Sequence, residues 1–182
     1  MRAIVVRHGD TFAPGDTVRR IGARTDLALT ASGQAQAVAL SAHFAGTRID
    51  RVLTATLART RETAAIIAPH ITAEPAAWLR EIDHGPDEGQ AETAVATRVG
   101  AAALTAWDTH CAPPPGWIVD AEMRLAAWRA FFADASGTIM LVTSNGAARF
   151  ALLALGLPPA KLRTGAYGEL VDGRVRAWDV RP

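Results

Sequence analysis

Met1-Arg2-Ala3-Ile4-Val5-Val6-Arg7-His8-Gly9-Asp10-Thr11 opens the chain, and its reading governs the rest. Ala3 to Val6 is a short unbroken apolar run, the pattern of a strand buried on both faces. At Arg7 the character changes. From there to Thr30 the chain is rich in Gly, Pro, Asp, Thr and Arg, too long and polar for a simple connection, and such loops usually carry function. Thr30 is placed to N-cap a helix in which Ala37, Leu40 and Phe44 recur at helical spacing, ending near Gly46. Asp50-Arg51-Val52-Leu53-Thr54 reads as a second strand. Leu57, Ala64, Ile67 and Ala68 form the inner stripe of a second helix, stopped by Pro69.

Between Glu74 and Gly89 no period is legible; Pro75, Gly85, Pro86 and Gly89 punctuate an acidic loop. An alanine-rich helix follows from about Glu92 to Trp107. Pro113-Pro114-Pro115-Gly116 is the one candidate linker, but the helices on either side are each too small to be a domain, so residues 1–182 read as a single domain. Leu125, Trp128 and Phe132 share a helical face, Thr138 to Thr143 is a third buried strand, and Asn145-Gly146 turns into a helix through Phe150, Leu153 and Ala154. In the tail, Asp172-Gly173 between alternating residues predicts a hairpin. Strands alternating with helices predict an α/β fold, a three-layer sandwich whose mostly parallel sheet has helices on both faces and an antiparallel edge.

Composition narrows the function. The 182 residues are 49% hydrophobic and 20% charged, ordinary for a folded globular chain. Lys+Arg 19 nearly balances Asp+Glu 18, and every basic residue except Lys161 is an arginine, spread from Arg2 to Arg181. Such scatter lacks the basic stripe that nucleic-acid binding needs. The single cysteine, Cys111, excludes an internal disulfide framework and a Cys-rich zinc site. The first apolar run is too short for a secretory signal, and no stretch reaches the length of a membrane span. The expectation is a cytoplasmic protein that binds neither nucleic acid nor membrane.

In an open α/β sheet, ligands bind beyond the carboxyl ends of the strands. The first strand ends in Arg7-His8-Gly9-Asp10-Thr11, the second in Thr54-Ala55-Thr56-Leu57-Ala58-Arg59, the third in Thr143-Ser144-Asn145-Gly146, and Glu81 lies in a loop able to reach the same place. These are the parts for handling a phosphoryl group. Arg7 and Arg59 would hold a phosphate dianion by charge-assisted hydrogen bonds worth roughly 1.5–3 kcal/mol each. Positive neighbours would disfavour a second proton on His8 and keep a ring lone pair free to attack phosphorus. Gly9 leaves room for the ester, and the amides of its turn add anion donors. Glu81 would protonate the departing oxygen and deprotonate the incoming water. If it must carry a proton first, an acid-leaning pH optimum follows.

These residues resemble the histidine phosphatase superfamily, the phosphoglycerate mutase-like family. Its strand followed by Arg-His-Gly is matched at Val5-Val6-Arg7-His8-Gly9-Asp10-Thr11. Ala23-Arg24-Thr25-Asp26-Leu27-Ala28-Leu29-Thr30, with Gly33 and Gln36-Ala37 following, is similar to the family's Gly-Arg-Thr-Asp-Leu-Pro-Leu-Thr segment. Thr54-Ala55-Thr56-Leu57-Ala58-Arg59-Thr60-Arg61-Glu62-Thr63-Ala64 resembles the stretch that carries the second phosphate arginine, at Arg59. Leu79-Arg80-Glu81-Ile82-Asp83-His84-Gly85 with Glu88-Gly89 resembles the proton-donor loop, at Glu81. The matches fall in family order across most of the chain. The resemblance implies phosphomonoester hydrolysis through a phosphohistidine on His8. His8, Glu81 and Asn145 would be catalytic, while Arg7, Arg59, Gly9, Thr11, Arg24 and Gly146 would bind the phosphate of a small phosphorylated metabolite. No metal or other cofactor is implied, because the arginines supply the charge.

The chain departs from the family pattern where Asn145 stands at the second histidine's place in a Ser-His-Gly turn, and where no Asn follows Thr11. Asparagine donates a hydrogen bond but brings no positive charge, and losing one such donor typically costs about 10²–10³ in rate; Arg149 or Arg24 would be the compensating cation. Two alternatives stand beside the phosphatase: phosphoglycerate mutase-type transfer, disfavoured by the modest span from Gly89 to Thr138, and a phosphate-ligand binding or regulatory protein whose turnover Asn145 has weakened. Arg19, Arg20, Arg24 and Arg149 are candidates for a second anionic group. Asp83, His84, Asp87 and Glu88 lack a metal-ligand spacing and read as a solvated loop. His43, His70 and His110 read as surface or edge residues, the adjacent His110 and Cys111 have no reason to face one another, and the five tryptophans read as packing.

Overall fold

The computed structural model describes all 182 residues. β1 (Arg2–Arg7), α1 (Ala31–Phe44), β2 (Arg51–Thr54), α2 (Ala58–Ile67), β3 (Glu74–Pro75), α3 (Glu92–His110), α4 (Ala121–Asp134), β4 (Thr138–Thr143), α5 (Asn145–Ala154), β5 (Tyr167–Val171) and β6 (Arg174–Val180) follow in chain order. The six strands form one sheet in the order β3-β2-β4-β1-β5-β6. β3, β2, β4 and β1 run parallel, and β5 and β6 add the antiparallel edge. The two-residue β3 is too short to carry a period, so nothing in the sequence announced it.

Alternation along the central strands makes the layers. Ile4, Val6, Val52, Met140 and Val142 face Ala37, Leu40 and Phe44 of α1 and Ala64 and Ile67 of α2. Ala3, Val5, Leu53, Ile139 and Leu141 face the other way, onto Trp107, Trp128, Ala148 and Ala151 from α3, α4 and α5. The fold is therefore α/β with helices on both faces. Each large apolar side chain so buried contributes roughly 1.5–3 kcal/mol.

Helix boundaries have local causes. Thr30 caps α1, its hydroxyl accepting from the Gly33 amide at 3.1 Å. α2 has no cap of its own, and the Asp26 carboxylate from the preceding loop accepts from the Ala58 amide at 2.6 Å instead. α3 runs to His110, beyond the expected Trp107, with a break at Gly100 where φ is 80°. The tail hairpin turns at Asp172 and Gly173, both at positive φ.

Candidate functional site

β1 and β4 lie in register from Arg2 opposite Thr138 to Arg7 opposite Thr143, so the residues just beyond them emerge side by side. The His8 amide extends the ladder by donating to the Thr143 carbonyl at 3.1 Å. Gly9 then passes against the first turn of α1, where a Cβ would stand 2.2 Å from the Gly33 carbonyl oxygen. No other residue fits that approach.

His8 is 3% exposed, and its two ring nitrogens meet opposite kinds of partner. Nδ1 lies 2.7 Å from the Gly9 carbonyl, which can only accept, while Nε2 lies 3.2 Å from Arg59 Nε, which can only donate. The ring is thus neutral, with its proton on Nδ1 and a lone pair on Nε2. Burial, then the positive charges of Arg7 and Arg59, hold its pKa well below the ordinary histidine value, against the opposing hydrogen bond to Gly9.

Arg59 is 1% exposed, and each of its three nitrogens donates within the fold. Beyond His8 its Nη1 donates to the Thr25 carbonyl at 2.7 Å and its Nη2 to the Gly22 carbonyl at 3.1 Å. Its fork therefore ties the 22–25 loop to the histidine. Arg7 donates from Nη1 to the Leu162 carbonyl at 2.8 Å, and its Nε is buried without a partner. Burial lowers its pKa, partly offset by Glu81.

Glu81 is seated on the N-terminus of α5. One carboxylate oxygen accepts from the Ile82 amide at 2.9 Å and the other from the Gly146 amide at 3.1 Å. Burial pushes its pKa up, but His84, the two amides and Arg59 together outweigh that and leave it below the ordinary value. A carboxylate at a helix N-terminus is favoured in its charged form, so Glu81 is ionised in the unliganded protein. Arg124, buried on α4, holds the segment beneath it by donating to the carbonyls of Trp78 and Arg80 at 3.0 and 2.6 Å. Asn145 Oδ1 accepts from the Leu162 amide at 2.9 Å. That contact fixes the side-chain orientation and turns the amide NH₂ away from Leu162.

A cavity of about 470 Å³ opens at these strand ends, lined by Arg7, His8, Thr11, Glu81, Asn145 and Gly146 among others. Several expected phosphate contacts stand elsewhere. Arg24 is exposed and outside the cavity lining, because its Nε donates to Asp83 at 3.0 Å and its Nη2 to the Gly85 carbonyl. Arg149 is buried outside the lining as well, held by the Trp107 carbonyl and Asp108 at 3.0 and 2.8 Å. Neither guanidinium reaches the cavity to stand in for a missing positive charge beside Asn145. Gly146 lines the cavity, but its amide is committed to Glu81. Gly9 and Arg59 are not among the residues that line the cavity.

The 83–88 loop is a correction. His84 is 5% and Asp87 1% exposed. Glu88 accepts from the Gly22 and Arg24 amides and the Thr25 hydroxyl at 3.1, 2.7 and 2.9 Å, stapling this loop to the 22–25 loop. Asp87 is held by both Arg98 and the Trp117 indole, the latter at 2.7 Å. No group of three or more His, Cys, Asp or Glu is placed to hold a metal ion. His84 and Arg20 both line the cavity. Of the arginines considered for a second anion, only Arg19 and Arg20 are brought to it. His43 has a partner the sequence did not show, the Tyr167 hydroxyl at 2.9 Å.

A buried neutral imidazole, its lone pair set by a guanidinium, beside a second guanidinium, an amide donor and an ionised carboxylate, is equipped to attack an electrophile that carries negative charge. The chain belongs to the histidine phosphatase superfamily (branch 1), whose family model matches residues 3–170. Among solved structures it is similar to the mycobacterial glucosyl-3-phosphoglycerate phosphatase, with 20% identity, a TM-score of 0.84, and 100% of this chain and 99% of that one covered. It is similar also to a putative alpha-ribazole-5'-P phosphatase from Escherichia coli, with 23% identity, a TM-score of 0.79 and coverage of 100% and 97%. A Thermus thermophilus protein shares 28% identity at a TM-score of 0.73, with 98% of each chain covered. No curated protein sequence matches the chain. No helix is long and apolar enough to cross a membrane.

Proposed function

We propose that the chain, working as one domain over residues 1–182, hydrolyses a small phosphomonoester through a phosphohistidine on His8. The observation that carries this is the pair of contacts on the His8 ring, to the Gly9 carbonyl and to Arg59, which leave a neutral imidazole with its lone pair on Nε2. In the first step Nε2 forms a bond to phosphorus as the bond from phosphorus to the ester oxygen breaks, and the leaving oxygen takes a proton from Glu81, whose protonated form the arriving phosphate dianion favours. In the second, water attacks phosphorus, the P–N bond breaks, and the water's proton passes to Glu81, which is ionised and ready to accept it. Arg7 has uncommitted N–H groups for the phosphoryl oxygens, and the Asn145 NH₂ adds a neutral donor, with Thr11 alongside.

Arg59 gives this scheme selectivity for the transition state. Its Nε donates to the lone pair that attack consumes, so as the P–N bond forms the donor loses its first acceptor and takes a phosphoryl oxygen. An interaction that appears only as the reaction proceeds lowers the barrier instead of deepening the ground state. The cavity, about 470 Å³, suits a small phosphorylated metabolite more than a nucleic acid or a lipid surface. The shared fold of the phosphatases named above and the family membership support hydrolysis.

One observation favours a second reading. With Glu81 ionised and Asn145 neutral, a binding protein with weakened turnover would show the same unliganded site. Incubation with p-nitrophenyl phosphate labelled at phosphorus separates the two: the phosphatase reading expects turnover, a base-stable and acid-labile label on the protein, and loss of both in His8→Ala. Tight phosphate binding with neither label nor turnover would overturn it in favour of the binding protein.

A further inference from the structure

At about 470 Å³ the cavity has room for a leaving group beside the phosphoryl site. Part of its wall is a short ribbon made where residues 18–20 meet residues 89–92. The Gly89 amide donates to the Arg20 carbonyl at 2.7 Å, the Arg20 amide donates to the Gln90 carbonyl at 2.8 Å, and Arg19 pairs with Ala91 in an antiparallel bridge. Val18, Arg19, Arg20 and Glu92 of this ribbon line the cavity. Backbone pairing thus fixes where the two arginines leave the chain. Their side chains are held but not spent. Arg20 lies over the Trp117 ring, its Cζ 5.1 Å from the centroid, and its Nη2 donates to Glu92. Its Nε is buried without an acceptor, and its Nη1 is neither bonded within the fold nor sealed from solvent. Arg19 uses only Nη1, on the Gly89 carbonyl at 2.9 Å, and has no carboxylate partner. Asp10, on the same cavity wall, cannot supply one, because its carboxylate already accepts from Ser32, Gln36 and Thr164. Two guanidiniums therefore share one carboxylate, Glu92.

We propose that Arg19 and Arg20 form a second anion subsite, so that the substrate is a phosphomonoester whose leaving group carries a further oxyanion, a carboxylate or a second phosphate. The proposal rests on the phosphohistidine reading of the same cavity. Charged donors with N–H groups to spare bind an oxyanion by charge-assisted hydrogen bonds, about twice as strong as those a neutral hydroxyl accepts. A guanidinium fork also matches the plane of a carboxylate or the edge of a phosphate. Glu92 divides the work: it neutralises part of the charge of Arg20, so Arg19 supplies the attraction and Arg20 adds a donor whose position the Trp117 stack fixes. Phe12, Val18 and Trp107 line the cavity too and give the carbon skeleton between the two anionic ends an apolar surface. The subsite selects the substrate and takes no part in the phosphoryl transfer. An anion held equally in the ground state and the transition state lowers KM and leaves kcat unchanged.

The test uses carboxyalkyl phosphates and hydroxyalkyl phosphates of graded and matched chain length, which share one phosphoryl group and differ in whether the far end is charged. At the best length the wild-type kcat/KM for the carboxyalkyl ester is expected to exceed that for its hydroxyalkyl partner by about tenfold or more, the scale of one hydrogen bond to a charged group, with the difference in KM. Arg19→Gln, which keeps an amide for the Gly89 carbonyl, should remove most of that preference, and Arg19→Gln with Arg20→Gln should bring the two series to parity. A loss of folding lowers both series together and cannot mimic a changed ratio. Alkanediol bisphosphates form the second arm: a preference for them beyond the twofold that two equivalent ends provide assigns the subsite to phosphate, and a preference for the carboxyalkyl series alone assigns it to carboxylate. Parity of the wild-type protein in both arms overturns the proposal, as does a preference that survives in the double variant or lies wholly in kcat. Absence of phosphohistidine from wild-type protein given p-nitrophenyl phosphate overturns the parent reading instead.

Discussion

Gly146→Ala tests the seat of the catalytic carboxylate most directly. A Cβ built on Gly146 stands 2.1 Å from Glu81 Oε1, 3.2 Å from its Cδ and 3.3 Å from Ile82 Cγ1, so the carboxylate and the methyl group cannot share the space. Glu81 must move off the helix end and lose its 3.1 Å bond from the Gly146 amide. A hydrogen bond to a charged group contributes roughly 1.5–3 kcal/mol. Against that, alanine gains up to about 1 kcal/mol over glycine in a helix. The net loss is about 0.5–2 kcal/mol, which for a chain of this size lowers Tm by roughly 1–8 °C. The displaced carboxylate also loses one of the amides that hold it ionised. Turnover suffers more than stability, because a general base moved out of reach forfeits about 10²-fold or more. Thermal unfolding and steady-state hydrolysis of p-nitrophenyl phosphate measure the two effects separately. An alanine variant with full turnover and unchanged Tm would mean that Glu81 does not sit on this helix terminus.

Asn145→His replaces a neutral donor with one able to carry charge, and turnover is expected to rise about tenfold or more, part of the 10²–10³ that such a donor supplies; an unchanged rate means the position does not face the phosphoryl group. Arg59→Lys cannot reproduce a fork that serves His8, Thr25 and Gly22 at once, and each buried carbonyl left without a donor costs about 1–3 kcal/mol. Its Tm should therefore fall by at least about 2–4 °C, and an unchanged Tm counts against the clamp. His8 and His84 both have pKa values below the ordinary one, chiefly through burial, so the unfolded chain binds more protons than the folded one as pH falls below about 6.5. Stability at pH 5.5 should accordingly be lower than at pH 7.5, and His8→Gln should shrink that difference. For the same reason the free enzyme's kcat/KM should show no acid limb centred near the ordinary histidine value of about 6.5; such a limb would place His8 in contact with solvent.

The α/β layers were legible because the determinants are local. Ile4 and Val6 face one helical layer, Ala3 and Val5 the other, and a run that is apolar at every position says as much without coordinates. Arg7, His8, Glu81 and Asn145 could be named because a parallel sheet brings its strand ends to one edge. What escaped was everything decided by a partner distant in sequence. His84 reads as a solvated loop residue because Gly85 and Pro86 follow it, yet Gly22 and Trp117 bury it. Arg24 and Arg59 read alike as phosphate-binding arginines, but Asp83 and the Gly85 carbonyl hold the first outside the cavity lining, while the second donates to His8 itself. A sequence displays donors; it does not display which of them are already spent.

That distinction bears on the chemistry itself. What His8 can do follows from what faces the nitrogen that does no work: a carbonyl acceptor at Nδ1, which forces a lone pair onto Nε2. Glu81 follows the same logic, since two backbone amides favour its charged form until the negative charge of a ligand arrives beside it. The reactive state of each group is thus set by partners that take no part in the reaction.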